Sequence, residues 1–336
     1  MAIRVAINGF GRIGRLVFRA LYERRIDDIQ VVAINDLGSV EANAHLLKYD
    51  SVHGRFHGEI TTGEGWLDAG RGKVEVLAER DPAKLPWKGL KIDVALECTG
   101  LFTKREAAAK HLDAGAKRVL ISAPGEGADF TLVMGVNSDQ VKANHSVISN
   151  GSCTTNCLAP VAYVLNEGIG IERGYMTTIH SYTSDQPTQD TLHKDLRRAR
   201  AAALSMVPTS TGAARAMGLV MPALKGKLDG TAIRVPTANV SLIDFKFNAG
   251  RDTSKEEINE LMVKAANSNR FKGILDVNRD EVVSVDFNHN PYSSTFDLTQ
   301  TVVLDKRFCR VLSWYDNEWG FSNRMVEAAA LVGKLG

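Results

Sequence analysis

Gly9-Phe10-Gly11-Arg12-Ile13-Gly14 narrows what this chain can fold into more than any other stretch. Before it runs Ile3-Arg4-Val5-Ala6-Ile7, apolar and short, which reads as a buried strand; after it, Arg15 to Arg24 carries a helical pattern. Strand, G-x-G-x-x-G and helix in that order fit one local structure. The first glycine makes a tight turn, the second lets backbone approach a pyrophosphate, and the third allows close helix–strand packing. The pyrophosphate then sits on free N–H groups at the helix N-terminus. A second strand, Val31-Val32-Ala33-Ile34, ends in Asn35-Asp36, with Asp36 22 residues beyond Gly14. A carboxylate there suits both ribose hydroxyls of NAD and repels a 2′-phosphate. A plain glycine-rich turn followed by a helix cap at Asp36 is the simpler alternative.

The alternation continues. Asp93 to Cys98 reads as a strand ending in Thr99-Gly100, Arg105 to Ala114 as a helix, and Arg118 to Ser122 as a strand. Strands alternating with helices predict a Rossmann-type, doubly wound parallel sheet with ligands at the strand C-termini, where Thr99, Gly100 and Ser122 stand. Gly54 to Gly89 mixes glycine with charge and reads as an excursion of short strands and loops; Cys98 reads as a core residue.

With 336 residues the chain has room for about two domains. A net charge of +2 gives no electrostatic case for nucleic acid or a membrane surface. Four cysteines in a chain this long are no disulfide framework. With no leader pattern at the N-terminus, they lead to the expectation of a reducing cytoplasm.

A second centre is Ser149-Asn150-Gly151-Ser152-Cys153-Thr154-Thr155-Asn156-Cys157. Ser146-Val147-Ile148 reads as a strand leading in, and Leu158 to Asn166 as the helix after it. Cys153 then lies at or near a helix N-terminus, where free N–H groups and the macrodipole favour a thiolate. Ser152, Thr154 and Thr155 could hold an anion beside it. Two small core cysteines, i and i+4 on one helix face, remain the alternative.

Tyr175 to His180 reads as a strand ending in histidine, 27 residues after Cys153, the distance a helix and one returning strand take. His180 is therefore the best-placed base among eight histidines. Ser181 to about Ser205 is a polar segment with Arg197, Arg198 and Arg200, either a functional or interface loop or a solvated basic face. Pro208 to Gly212 supplies hydroxyls and N–H groups before a helix over Ala213 to Leu219, and Arg234 sits in an apolar strand that calls for an anionic partner. Runs at Val240–Phe247, Val282–Phe287, Thr301–Leu304 and Arg310–Trp314 suggest a largely antiparallel sheet. Asn317 to Leu335 reads as an amphipathic helix packing back on the first domain.

A nicotinamide domain joined to an activated cysteine, a histidine and anion sites fits aldehyde oxidation. A thiohemiacetal on the thiolate releases hydride to NAD and leaves a thioester, which phosphate can convert to an acyl phosphate. At this point the whole chain resembles phosphorylating, NAD-dependent glyceraldehyde-3-phosphate dehydrogenase, most specifically in INGFGRIGR, NGSCTTNCLAP, TTIHSYTSDQ, TSTGAA and WYDNEWG.

The resemblance implies an NAD-binding domain over 1–152, completed by a C-terminal helix over 317–336, and an α+β catalytic domain over 153–316 with a mostly antiparallel sheet. It implies oxidative phosphorylation of D-glyceraldehyde 3-phosphate to 1,3-bisphosphoglycerate, in glycolysis or gluconeogenesis. Cys153 would be the nucleophile and His180 the base that also keeps the thiolate. Gly9, Gly11, Arg12, Ile13, Gly14, Asp36, Arg80, Thr99, Ser122 and Asn317 would line NAD, with Asn317 on the carboxamide. Thr183 and Arg234 would hold the substrate phosphate. Ser152, Thr154, Thr211 and Gly212 would hold inorganic phosphate, with Arg198 near both. The family is a homotetramer whose 181–205 loop lies at a subunit interface, and no metal is implied. Ser184 stands where the family often has Asn, and Thr191-Leu192 where many NAD-specific members have Leu-Pro; Asp36 with Leu37 still favours NAD.

The nearest rival is erythrose-4-phosphate dehydrogenase, which shares the cysteine and histidine but lacks the counterparts of Thr183 and Thr211-Gly212. A cysteine hydrolase has no use for the dinucleotide fingerprint, and a non-catalytic NAD- or RNA-binding protein has none for an activated thiol. Cys153, Cys157 and His180 fall short of a closed zinc site.

Overall fold

A computed structural model describes residues 2–335. The chain forms two compact units, one of 1–132, 140–151 and 322–336, the other of 133–139 and 152–321.

In the first unit β1 (Ile3–Asn8), α1 (Arg12–Glu23) and β2 (Ile29–Asn35) make the expected βαβ opening, with β1 and β2 parallel. The helix starts at Arg12, three residues earlier than its periodicity suggests, because Gly11 already accepts from Arg15 N. β3 (Lys73–Leu77), β4 (Val94–Glu97), β5 (Arg118–Ile121) and β6 (Val147–Ser149) complete a sheet of nine strands. Its order is 130–131, β6, β5, β4, β1, β2, β3, 66–68 and 61–63, parallel as far as β3 and antiparallel beyond. The last two strands are the short pieces expected between Gly54 and Gly89. Val5, Ile7, Leu16, Ile34, Val94, Val119 and Leu120 are fully buried. The expected helix over 105–114 divides into Arg105–Ala108 and Lys110–Asp113.

The second unit begins with α2 (Cys153–Ile169), which starts five residues before its apolar pattern because Ser152 caps it, Oγ accepting from Thr155 N at 3.0 Å. Then follow β7 (Ile171–Ser181), β8 (Val207–Ser210), β9 (Leu228–Val235), β10 (Ser241–Ala249), α3 (Lys255–Ala266), β11 (Leu275–Asn278), β12 (Ser294–Asp297) and β13 (Phe308–Tyr315). The sheet runs β8-β9-β7-β10-β13-β12-β11, with 302–304 also on β13. It is mostly antiparallel; β7/β9 and β11/β12 are the parallel pairs. Cys157, Leu158, Val161 and Leu165 of α2 pack with Met176, Phe245, Phe296 and Val311.

Three expectations need correction, and one helix was not expected. Residues 282–287 hold a 3-10 turn, Ser284–Phe287, since Asp286 Oδ2 accepts from Val283 N and exposed Val283 and Val285 bury nothing. α3 has no counterpart in the sequence reading. The helix over 213–219 contracts to Met217–Val220. The final helix, α4 (Trp319–Gly333), is buried nearly all round rather than amphipathic, and Asn317 precedes it in a turn where Asp316 accepts from Glu318 N and Trp319 N. Residues 133–139 belong to the second unit because Val133 and Val136 enter the core of α2. Among the described residues no helix is long and apolar enough to cross a membrane.

Candidate active site

In the first unit the C-terminal ends of β1, β2 and β4 frame a cleft of about 340 Å³ lined by, among others, Gly9, Gly11, Asp36, Arg80 and Thr99. Gly9 has φ +90°, and a Cβ there would fall 2.6 Å from Thr99 N. A Cβ on Gly14 would fall 2.1 Å from Gly9 O, so helix and turn touch directly. A Cβ on Gly11 would meet nothing within 4 Å, and Gly11 caps α1 without a side-chain acceptor. The first-turn N–H groups, which include those of Ile13 and Gly14, therefore face an open cradle suited to a pyrophosphate.

Asp36 Oδ2 accepts from Phe10 N (2.9 Å) and Oδ1 from Gly38 N (3.0 Å). One acceptor position on each oxygen is left for a ribose hydroxyl. The residues present thus fit a dinucleotide. Arg12 binds Asp50 at 2.6 Å. Burial raises the Asp50 carboxyl, but the N–H groups of His53 and Val52 and the Arg12 charge outweigh it and hold it at about 2. Ser122 lies beside Cys98, whose thiol burial pushes to about 12.

In the second unit Cys153 opens α2 and His180 sits near the end of β7. Their atoms Sγ and Nε2 are 3.5 Å apart. Parallel pairing of β7 with β9 sets His180 opposite Arg234. Arg234 Nη1 donates to Ser181 O (2.9 Å) and Thr183 Oγ1 (3.1 Å) and lies 2.9 Å from His180 Nδ1. The two hydrogens of Arg234 Nη1 go to Ser181 O and Thr183 Oγ1, so Nδ1, 2.7 Å from Ser181 O, carries its own hydrogen toward that carbonyl and leaves Nε2 as the acceptor toward the thiol. Arg234 Nε is buried without a partner among the described residues.

Burial, then the Arg234 charge, push the imidazole down to about 3, so it is neutral at pH 7. Burial raises the Cys153 thiol, while Arg234 and hydrogen bonds from Thr154 oppose it. The electrostatics therefore give a thiol facing a neutral base, where the sequence suggested a standing thiolate.

Thr154 Oγ1 also meets Tyr315 Oη at 2.8 Å, and Tyr315 reaches Thr178 at 2.9 Å. Thr183 donates to Asp185, which holds Arg198 Nη1 at 2.7 Å. Arg198 also binds Thr209 Oγ1 and Ser210 O, so it ties the 181–205 segment to the turn carrying Thr211 and Gly212. Thr211 Oγ1 accepts from Ala213 N (3.2 Å). Asn317 Oδ1 accepts from Ser181 Oγ and Ser241 Oγ, both 2.9 Å, which leaves Nδ2 as its donor.

The reading of the sequence missed Asp185 and Tyr315. Arginine-rich segments need counter-charges, and Asp185, Asp190 and Asp195 each pair with Arg198 or Arg200. That was an available signal for Asp185; none existed for Tyr315, 161 residues from Thr154. Among the described residues no group of three His, Cys, Asp or Glu is placed to hold a metal.

Comparison with known proteins gives the lineage. Residues 3–105 match the family model "Glyceraldehyde 3-phosphate dehydrogenase, NAD binding domain", and residues 152–317 match "Glyceraldehyde 3-phosphate dehydrogenase, C-terminal domain". The glyceraldehyde-3-phosphate dehydrogenase of Xanthobacter flavus is 65% identical over 336 residues, covering 100% of both chains. That of Cereibacter sphaeroides is 62% identical over 335 residues, again covering 100% of both. Glyceraldehyde-3-phosphate dehydrogenase 1 of Bacillus subtilis is 54% identical over 337 residues with the same coverage. The NAD-binding model falls on the unit with the open glycine cradle, and the C-terminal model begins one residue before Cys153. Identity of this order along the full length leaves one conclusion, that the chain is an NAD-dependent oxidoreductase of the glyceraldehyde-3-phosphate dehydrogenase family.

Proposed function

We propose that the chain oxidises D-glyceraldehyde 3-phosphate to 1,3-bisphosphoglycerate, a phosphorylating step of glycolysis or gluconeogenesis, through a thiohemiacetal and a thioester on Cys153. The observation that carries this reading is the contact of Cys153 Sγ with the acceptor nitrogen of a neutral His180 beside Arg234. His180 Nε2 takes the thiol proton as sulfur attacks the aldehyde carbon. The imidazolium then hydrogen-bonds the new oxyanion, which becomes the thioester carbonyl as hydride departs, and the proton taken from the thiol remains on the ring. Bound NAD supplies the hydride acceptor. An oxygen of inorganic phosphate attacks the thioester carbonyl, the C–S bond breaks, and the proton returns to the thiolate or to solvent.

Arg234 Nε, with no partner among the described residues, and Thr183 hold the substrate phosphate in this reading. Ser152, the backbone of Thr154 and the Thr211–Gly212 turn hold the attacking phosphate, with Arg198 fixing that turn through Ser210. The fixed Asn317 amide offers Nδ2 to the nicotinamide carboxamide. Leu192, Leu196 and Leu204 are 99%, 82% and 81% exposed, which supports burial of this segment at a subunit interface; in this reading the chain works as a homotetramer in the cytoplasm.

The test is NADH formation with glyceraldehyde 3-phosphate, with and without inorganic phosphate, against erythrose 4-phosphate. Fast turnover that needs phosphate is expected for the three-carbon substrate. Preference for the four-carbon one would overturn the assignment of Thr183 and Thr211.

A further inference from the structure

Beneath the cofactor cleft a chain of buried polar side chains runs inward from Thr99 to Trp87, and no step of the reaction above uses it. Glu97, the last residue of β4, is 1% exposed, and His111 and Trp87 are 0% exposed. Trp87 Nε1 meets His111 Nδ1 at 2.9 Å. An indole nitrogen only donates, so Nδ1 is the bare acceptor and the ring hydrogen lies on Nε2. Nε2 in turn donates to Glu97 Oε2 at 3.0 Å.

Asn8 Nδ2 donates to the same oxygen at 2.6 Å. That amide is oriented independently, because Asn8 Oδ1 accepts from Asn35 Nδ2 at 2.7 Å, and Asn35 Oδ1 accepts from Glu79 N at 2.8 Å. The other oxygen, Oε1, accepts from Thr99 N at 2.8 Å and from the Thr99 hydroxyl. Four donors thus fill the four acceptor positions of one carboxylate, with His111 held from its far side by Trp87 and Asn8 by Asn35.

A carboxylate placed this deep is costly unless each acceptor position is met. Its neighbours Ala95 and Leu96 show that the strand needs no polar residue for burial. What the carboxylate holds is the floor of the cleft. Asn8, Asn35 and Thr99 all line it, and the Gly9 turn leans on the Thr99 backbone, so close that a Cβ would fall 2.8 Å from Thr99 Cα. The Thr99 hydroxyl donates to Glu97 and accepts from Leu101 N at 3.0 Å, so its hydrogen points into the floor rather than to a ligand.

We infer that Glu97 is a positioning residue for the dinucleotide. From below, it fixes the Thr99 peptide and the Asn8 amide against which the Gly9–Gly11 turn is seated. This rests on NAD as the cofactor and not on the phosphorylating chemistry.

Glu97→Gln tests it. The shape is kept, but two acceptor positions become donors. Either Thr99 N or the Asn8–His111 pair then faces a donor, and His111 cannot change tautomer while Trp87 holds Nδ1. Calorimetric titration of the purified protein should show the NAD Kd rising roughly tenfold or more, the effect of one misplaced buried hydrogen bond, with kcat at saturating NAD within about twofold. Trp87→Phe cuts the far end but leaves all four donors on Glu97. It should lower the melting temperature while the NAD Kd stays within about threefold. An unchanged Kd in folded Glu97→Gln overturns the inference, as does an equal rise in Trp87→Phe, which would mark general weakening of the unit. Should Glu97→Gln not fold, Thr99→Val decides. Loss of one donor to the carboxylate should raise the Kd severalfold, and parental affinity would overturn the proposal.

Discussion

Cys153 and Cys157 lie one helical turn apart, and burial raises both thiols. Cys157 reaches about 12, its weak partners Ser294 and Ser313 opposing burial little. At Cys153 the opposing forces are the Arg234 charge and the hydrogen bonds from Thr154, with His180 Nε2 as a nearby acceptor. A nucleophile here depends on its base more than on its helix. Replacing that base by His180→Gln should lower kcat about 10²- to 10⁴-fold, the range for general acid–base catalysis, with NAD binding kept. Alkylation of Cys153 by iodoacetamide at neutral pH should slow in parallel. An unchanged alkylation rate would remove His180 as the acceptor of the thiol proton.

Among the elements, α2 and the β7/β9 pair position the site. Ser152 closes the first turn of α2 around Cys153, so Ser152→Ala should cost about 1 kcal/mol, visible as a lower urea midpoint, and should lower kcat as that turn frays. Unchanged stability would mean that Thr155 N finds another acceptor. Elements of this kind were legible in the sequence where one local signal sufficed: the glycine turn between β1 and α1, or the strand that ends in His180. The register that sets His180 opposite Arg234 was not, since it joins segments 54 residues apart by pairing no local pattern encodes. The helix α3 did carry signals, Ser254 as cap with Glu256 and Glu257 in the first turn and Ile258 and Met262 on one face. It was overlooked because the apolar runs around it read as strands. The run at 282–287 misled for the converse reason, as Val283 and Val285 are exposed at a turn while Phe287 alone of the three is buried.

At the scale of the molecule, the buried imidazole couples folding to pH. The His180 pKa is about 3 in the folded chain against 6.5 when exposed, so between these values the unfolded chain binds more protons and stability falls as pH falls. The slope from this one group reaches about 1.4 kcal/mol per pH unit below pH 6.5. The carboxyl of Asp50, at about 2, adds its share only below its ordinary 3.8. Urea midpoints from pH 7.5 to 5 should therefore drop less steeply in His180→Gln than in the parent, and equal slopes would contradict a buried neutral imidazole.

The division of the chain has a consequence for its synthesis. The polypeptide passes from one unit to the other after residues 132, 139, 151 and 321, so the first unit is built from three separated stretches. Its last stretch is bound within that unit by Arg24 to Asn323 and Glu327 and by Lys334 to Asp28. Residues 133–139 and 152–321 are synthesised before the last stretch of the first unit. The unit that holds the dinucleotide fingerprint is thus the one whose residues are completed last, and its contacts with residues 322–335 close over the longest sequence separations in the chain.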